Sequence, residues 1–156
     1  MTGGSSTVDG FLRGPLDEHA PLSFDGAAVM PSDLMGRYLA AIQRGDRDAA
    51  YAYFADDIVG HIPGRSTLAG TVRGRDAVRG YIETVLARTD EHDVELIDML
   101  SGKEHVALVV RERLRSGGRE LDMRRANVYR VENDKITEIW IFEGDQYAVD
   151  EFLGEL

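Results

Sequence analysis

The sequence predicts an α+β fold: a cone-shaped, curved antiparallel sheet wrapped around three helices. Three observations carry this expectation. Apolar periodicity runs in the order helix, helix, strand, helix and then four consecutive strands, which separates helices from sheet as α+β folds do. The last four strands are joined at Ser101-Gly102, Ser116-Gly117-Gly118 and Asn133-Asp134, turns tight enough to force antiparallel neighbours. A chain of 156 residues with 43% apolar content also suits one core and leaves no room for a second domain. A sheet curved around helices leaves a closed pocket, and a pocket suggests chemistry on a small apolar molecule.

Residues 1–31 are rich in Gly, Ser, Asp and Pro, and their isolated apolar side chains follow no period. They are read as a flexible arm ahead of a domain at 32–156. Phe11 and Phe24 keep open a packed arm, lying over a partner subunit or the pocket mouth. Ser32, following Pro31, is the expected N-cap of a first helix with Leu34, Met35, Tyr38, Leu39 and Ile42 on one face, stopped by Gly45. Asp46 caps a second helix with Ala49, Ala50, Tyr53 and Phe54 on its apolar side. The Asp56-Asp57 pair marks a turn into a short strand, 58–62, which Pro63-Gly64 ends. After a Gly-rich loop a third helix starts near Asp76, with Val78, Tyr81, Ile82, Val85 and Leu86 at helical spacing.

Strands are expected at 93–100, 104–115, 119–131 and 135–143. In the second of these Val106, Leu108, Val110 and Leu114 alternate with outward Arg111, Arg113 and Arg115, which places Glu112 on the inner face. In the third, Leu121, Met123, Tyr129 and Val131 share the inner face with Arg125 and Asn127. The outward arginines, with Arg119, Arg124 and Arg130, interleave with Glu104, Glu120, Asp122 and Glu132, so they read as cross-strand ion pairs. In the last strand Ile139 and Ile141 occupy one face and Ile136, Trp140 and Phe142 the other. Both faces need cover, either from the segment 147–153 or from a partner, which predicts a homodimer through the outer sheet face.

A net charge of −10 argues against nucleic acid and anionic membrane surfaces as partners. There are no cysteines, so thiolate metal sites and cysteine nucleophiles are excluded. The apolar runs are far shorter than the ~20 residues of a membrane span, and no signal peptide is read, so a cytoplasmic protein is expected. No phosphate loop or dinucleotide fingerprint occurs: Gly70-Thr71-Val72-Arg73-Gly74-Arg75 lacks the spacing and the lysine. One pocket histidine and two separated glutamates do not make a zinc site, so no metal and no cofactor are expected.

The stretch from Met35 to Asp46, followed by Phe54-Ala55-Asp56-Asp57, resembles the opening of bacterial ketosteroid isomerases and of the wider nuclear transport factor 2-like superfamily. His61-Ile62-Pro63-Gly64-Arg65-Ser66, the strand Ala126 to Val131 and the ending Trp140 to Phe152 are similar to the same superfamily, including its polyketide cyclase-like members. The resemblance covers about residues 32–153 and implies the cystatin-like α+β barrel of that superfamily, a scaffold that hosts many reactions. Carried over by position, Tyr38 matches the isomerase tyrosine that donates to the developing oxyanion. Asn127 stands where isomerases and many cyclases have an aspartic acid. Ile62 stands where isomerases have the proton-shuttling carboxylate, which argues against steroid isomerisation. Arg125-x-Asn127 is similar to the Arg-x-Asp pair of limonene epoxide hydrolases, with the acid replaced.

With that carboxylate missing, His61 becomes the candidate base, because an imidazole titrates near neutral pH. The isomerase register points it away from the pocket and the hydrolase register points it in. His19, His92 and His105 are read as lying in the arm, a loop and an outer strand face. Arg125 and Glu112 are expected as inward neighbours, either a self-neutralising buried pair or a grip on a substrate carboxylate, enolate or phenolate. Tyr38, His61, Asn127, Arg125 and Glu112 are thus the catalytic candidates. Ile62, Val110, Met123, Tyr129, Ile139, Ile141 and Glu143 are the substrate-binding candidates.

The expected function is cofactor-independent isomerisation, cyclisation or dehydration of a small apolar oxygenated metabolite, polyketide- or terpenoid-like. Two alternatives stay open: a non-catalytic binding protein of the same fold, and a cyclase that works mainly by the shape of its pocket.

Overall fold

A computed structural model describes residues 30–154. Of the arm expected over 1–31, residues 1–29, with Phe11, Phe24 and His19, lie outside the described residues, as do the last two positions. Helix α1 (Pro31–Gln43) opens on Pro31, one residue before the expected domain boundary. A proline lacks only the N–H that a first helical position leaves unbonded, and Met30, not Ser32, is the N-cap. Gly45, at φ +72°, ends the helix. Asp46 caps α2 (Arg47–Tyr51) as expected, accepting the Ala49 N–H at 3.1 Å.

Strand β1 (Phe54–Ile62) starts four residues before the expected 58, and Tyr53 and Phe54 are not part of α2. The Asp56-Asp57 pair expected to turn the chain lies inside β1. Asp56 is exposed there and paired with Arg75, while Phe54 and Ile58 on either side are fully buried. A four-residue strand β2 (Gly70–Arg73), too short to show a period, folds back on β1 where a loop was expected. Helix α3 (Arg75–Ala87) follows. Strands β3 (Glu91–Ser101), β4 (His105–Ser116), β5 (Arg119–Glu132) and β6 (Lys135–Glu143) match the expected four closely. A further helix, α4 (Gln146–Gly154), brings the described helices to four instead of three.

The sheet order is β2-β1-β6-β5-β4-β3. β1 runs parallel to β6 and every other pair is antiparallel, so the sheet is mixed at one joint. β2 and β3 remain edges, which leaves the expected barrel unclosed. Register breaks near Leu96, at Arg130/Val131 and between Phe54 and Val59 supply local bending. The break at Arg130/Val131 also corrects Ile136. It moves that side chain to the inner face, opposite Val131 and fully buried, while Ile139 opposes Tyr129.

The main core joins Leu34, Met35 and Tyr38 of α1 to Phe54, Ile58, Val106, Leu108 and Ile136 of the sheet. A second cluster sets Val149, Phe152 and Leu153 of α4 against Leu114, Leu121 and Met123. Segment 147–153 therefore covers inner-face residues and not the Trp140 side of β6. On the outer face the expected ion pairs form, with Arg111 bidentate on Asp122 at 2.8 and 2.6 Å and Arg115 between Glu91 and Glu120.

Candidate active site

Between the inner face of the sheet and helices α1, α3 and α4 lies a cavity of about 620 Å³. Its walls are mostly apolar, and Ile42, Gln43 and Arg47 border it where α1 runs into α2. Strand alternation supplies the floor. Val110, Met123, Tyr129, Ile139 and Ile141 all line it, and Ile62 does so from β1. Successive inward positions on β5, Met123, Arg125, Asn127 and Tyr129, lie about 6.6 Å apart, so the polar groups among them fall at different depths.

One polar end is charged. The Arg125 side chain is only 10% exposed and sits between two carboxylates, with Nε 3.0 Å from Glu112 Oε2 and Nη2 3.2 Å from Glu143 Oε1. The Nε–H is not aligned on Glu112 and has no hydrogen-bond acceptor. The other Glu112 oxygen, Oε1, lies 2.5 Å from His92 Nε2. Burial pushes the Glu112 carboxyl up, but the His92 hydrogen bond and the Arg125 charge outweigh it and hold the group below the usual range. Glu143 goes the other way. Burial raises it, Arg125 opposes, and the nearby negative charges of Glu112 and Asp150 add to the rise. Tyr81 of α3 lines the same end, and burial pushes its phenol up to about 12 against the pull of Arg125.

The other polar end consists of hydroxyls and an amide. Tyr38 and Tyr129 have ring centroids 6.0 Å apart. Burial lifts Tyr38 to about 12, offset in part by hydrogen bonding from Tyr129. Burial likewise lifts Tyr129 well above the ordinary phenol value, with the Asn127 amide opposing. Asn127 Oδ1 is buried and unpartnered among the described residues. All of these hydroxyls stay protonated at neutral pH and can donate.

Two expectations are corrected. His61 faces outward, because Gly60 and Ile62 take the inner positions of β1 and the parallel register sets His61 beside Trp140. Its ring stacks on Trp140 at 5.4 Å and 10°, and Nε2 lies 2.7 Å from Glu138 Oε1. His61 still borders the cavity at its β1 edge, but its ring is held by Trp140 and its Nε2 is taken by Glu138. Glu143 is not among the cavity-lining residues and backs Arg125 from β6 instead. His92 was expected in a loop; it stands in β3, lines the cavity and holds Glu112. The missed signal was the inward register: His92 opposes Leu114, an inner-face residue of β4, and Glu112 is the next inner position along. Tyr81 was assigned to a core helix face with no reason visible in sequence to turn it toward Arg125. No helix among the described residues is long and apolar enough to cross a membrane.

Comparison with known proteins gives a consistent result. The model of the SnoaL-like domain matches residues 35–139. Uncharacterised proteins from Mycobacterium tuberculosis and Mycobacterium bovis are 35% identical over 122 residues, 77% of this chain and 93% of theirs. Among solved structures, Bal32a from a soil-derived mobile gene cassette superposes with a TM-score of 0.73 at 27% identity, over 78% of this chain and 95% of that one. A nuclear transport factor 2-like protein from Burkholderia xenovorans gives 0.64 at 24% identity, over 78% and 94%, a likeness of fold.

Proposed function

The chain belongs to the SnoaL-like domain family, within the nuclear transport factor 2-like superfamily, and from that premise we propose a cofactor-independent cytoplasmic enzyme that isomerises, cyclises or dehydrates a small apolar oxygenated metabolite, polyketide- or terpenoid-like. The observation that carries the reading is the buried Asn127 Oδ1, without a partner among the described residues, beside the ion-paired Arg125 guanidinium on the wall of an otherwise apolar cavity. Buried polar groups are nearly always bonded, so an orphaned amide oxygen on the cavity wall calls for a polar atom on a ligand. Arg125, ionised beside Glu112, stabilises negative charge as it develops on a substrate oxygen. Tyr38 and Asn127 hold a second oxygen function. An apolar body between them matches the walls.

Replacement of the isomerase carboxylates by Ile62 and Asn127 favours a second reading, a protein that binds such a molecule without changing it. Native mass spectrometry of the purified protein incubated with a metabolite extract separates the two. We expect a retained compound accompanied by a product of altered mass or altered chromatographic mobility. A compound returned unchanged after long incubation would replace the enzyme by the binder.

The proposal includes a homodimer through the outer sheet face. Trp140 and the 57%-exposed Phe142 stand there without cover from α4. Sedimentation velocity across micromolar concentrations is expected to give a dimer that Phe142→Glu converts to monomer. A wild type that stays monomeric throughout that range sinks the assembly.

A further inference from the structure

We infer that His92, oriented by Glu112, is the group that moves the proton in this cavity: its Nδ1 takes a proton from a carbon beside a carbonyl, and Arg125 faces the oxygen on which the charge collects. The inference rests on the enzyme reading above and supplies the base which that reading lacks, now that His61 is seen to face outward. Four observations carry it. His92 lines the cavity. Its Nε2 is engaged by Glu112 Oε1 at 2.5 Å, and Nδ1 is the nitrogen with no hydrogen-bond partner among the described residues. Glu112 is itself fixed from behind by Arg125, 3.0 Å from its second oxygen. The His92 side chain keeps 26% of its surface, enough for a proton to be handed back or exchanged.

The chemistry follows from that wiring. A carboxylate accepting the Nε2–H fixes the tautomer with Nδ1 bare, and it stabilises the imidazolium that forms when Nδ1 gains a proton. The C–H electron pair moves onto the carbonyl oxygen as an enolate. Return of the proton from Nδ1 to a different carbon completes an isomerisation; in a dehydration the enolate instead re-forms the carbonyl as the β C–O bond breaks, and the departing hydroxyl takes the Nδ1 proton, releasing water and restoring the neutral imidazole. The substrate class is therefore a carbon acid with at least two oxygen functions. One sits at Arg125 and the other reaches Tyr38 and Asn127, further along the inner face of β5.

The groups around His92 allow such a cycle. Glu112 faces it from β4, with Arg125 of β5 and Glu143 of β6 behind. Tyr81 of α3 and Arg47 of α2 line the same cavity, while α4 lines it only with Val149 and Leu153. Its neighbour Asp93, paired with Arg113, and His61 of β1 also border the cavity. Among the described residues, Glu112 is the carboxylate in direct contact with the ring.

The test uses 5-nitrobenzisoxazole, a small apolar aromatic whose C3–H is removed by a general base as the N–O bond breaks to give a cyanophenolate. The wild-type chain is expected to catalyse this above buffer, with an acid limb in its pH–rate profile. His92→Gln is expected to lower kcat/KM about 100-fold and abolish the limb. Glu112→Gln is expected to lower kcat with little change in KM, and His61→Gln to match wild type. No wild-type rate above buffer, a His92→Gln variant within threefold of wild type, or a loss in His61→Gln instead would each overturn the assignment. Independently of how the variants fold, nitrogen-15 NMR of the wild type is expected to show neutral His92 protonated at Nε2, and protonation at Nδ1 would overturn it. If the probe fails while a metabolite is still converted, the enzyme stands and His92 falls. If the probe turns over while the retained metabolite comes back unchanged, His92 stands as a base and the enzyme reading falls.

Discussion

Replacing Arg125 by methionine is expected to cost about 3–5 kcal/mol of folding stability at pH 7, the usual penalty for removing one partner of a buried ionic cluster. The guanidinium is 10% exposed, and the carboxylates it serves, Glu112 and Glu143, are 9% and 4% exposed, so little water can replace it. The pH dependence identifies the cause. Glu112 has a depressed native pKa, so its contribution is complete above the unfolded value of about 4.5 and is lost as pH falls through the native one. Glu143 is raised, so its protonated form is the one folding favours, and its contribution fades as pH rises. In Arg125→Met Glu143 loses its cation and Glu112 keeps only the His92 contact, so both carboxylates are under-compensated in a low-dielectric site at neutral pH, and protonation relieves them. Urea denaturation should therefore give a gap between wild type and variant that is widest near pH 7, starts to narrow above about pH 4.5 as the variant's under-compensated carboxylates protonate, and closes further as pH falls through the lowered native value of Glu112. Adding Glu112→Leu to Arg125→Met is expected to recover part of the loss, because an apolar pair of similar volume does not carry the desolvation cost. A loss below about 1 kcal/mol, or one independent of pH, would mean the cluster is solvated.

The parts of this fold that the sequence made legible are those written in period and turn chemistry. Four long strands with Gly or Asn-Asp turns declared their ends, and alternation alone put Glu112, Arg125 and Asn127 on the inner face, where they are found. What escaped was set by pairing between strands distant in sequence. The outward turn of His61 depends on the parallel register of β1 against β6, and the burial of Ile136 on a register break at Arg130/Val131. Neither leaves a local mark. His92 escaped because β3 is an edge strand whose residues are nearly all exposed, so no burial pattern announced its face. Only its opposition to β4 shows that it shares the inner surface with Glu112. The site was therefore legible as a set of inward polar residues and illegible as a connected chain of contacts.

Substitution of Gly64 by valine is expected to loosen α4 from the rest of the domain and open the cavity. Gly64 has φ +104°, a region in which side chains other than glycine are strained, and a Cβ there would run into Asp150 and Gln146 of α4. The contact it would disrupt fastens the helix. Asp150 Oδ1 accepts the Arg65 N–H at 2.8 Å, which ties α4 to the turn after β1, and the Gln146 side-chain amide at 3.2 Å within the helix holds the carboxylate in place. Behind that fastening, Val149 and Leu153 form part of the cavity wall, and Val149, Phe152 and Leu153 cap Leu114, Leu121 and Met123. Strain and steric conflict of this kind cost about 1–3 kcal/mol. The cost should fall on local opening, because α4 joins the domain through this contact, one small apolar cluster and Arg119 of β5, which donates to the Phe152 carbonyl and lies over its ring. Amide hydrogen exchange across 147–153 is expected to accelerate about 10- to 100-fold, with the strands β4 and β5 unchanged, and any retained ligand to dissociate faster. Asp150→Ala removes the same acceptor without backbone strain and should reproduce a smaller share of the effect. Exchange in α4 that stays at wild-type rates in Gly64→Val would show that the apolar cluster and Arg119 hold the helix without it, and the Gly64 turn would then have no part in closing the site.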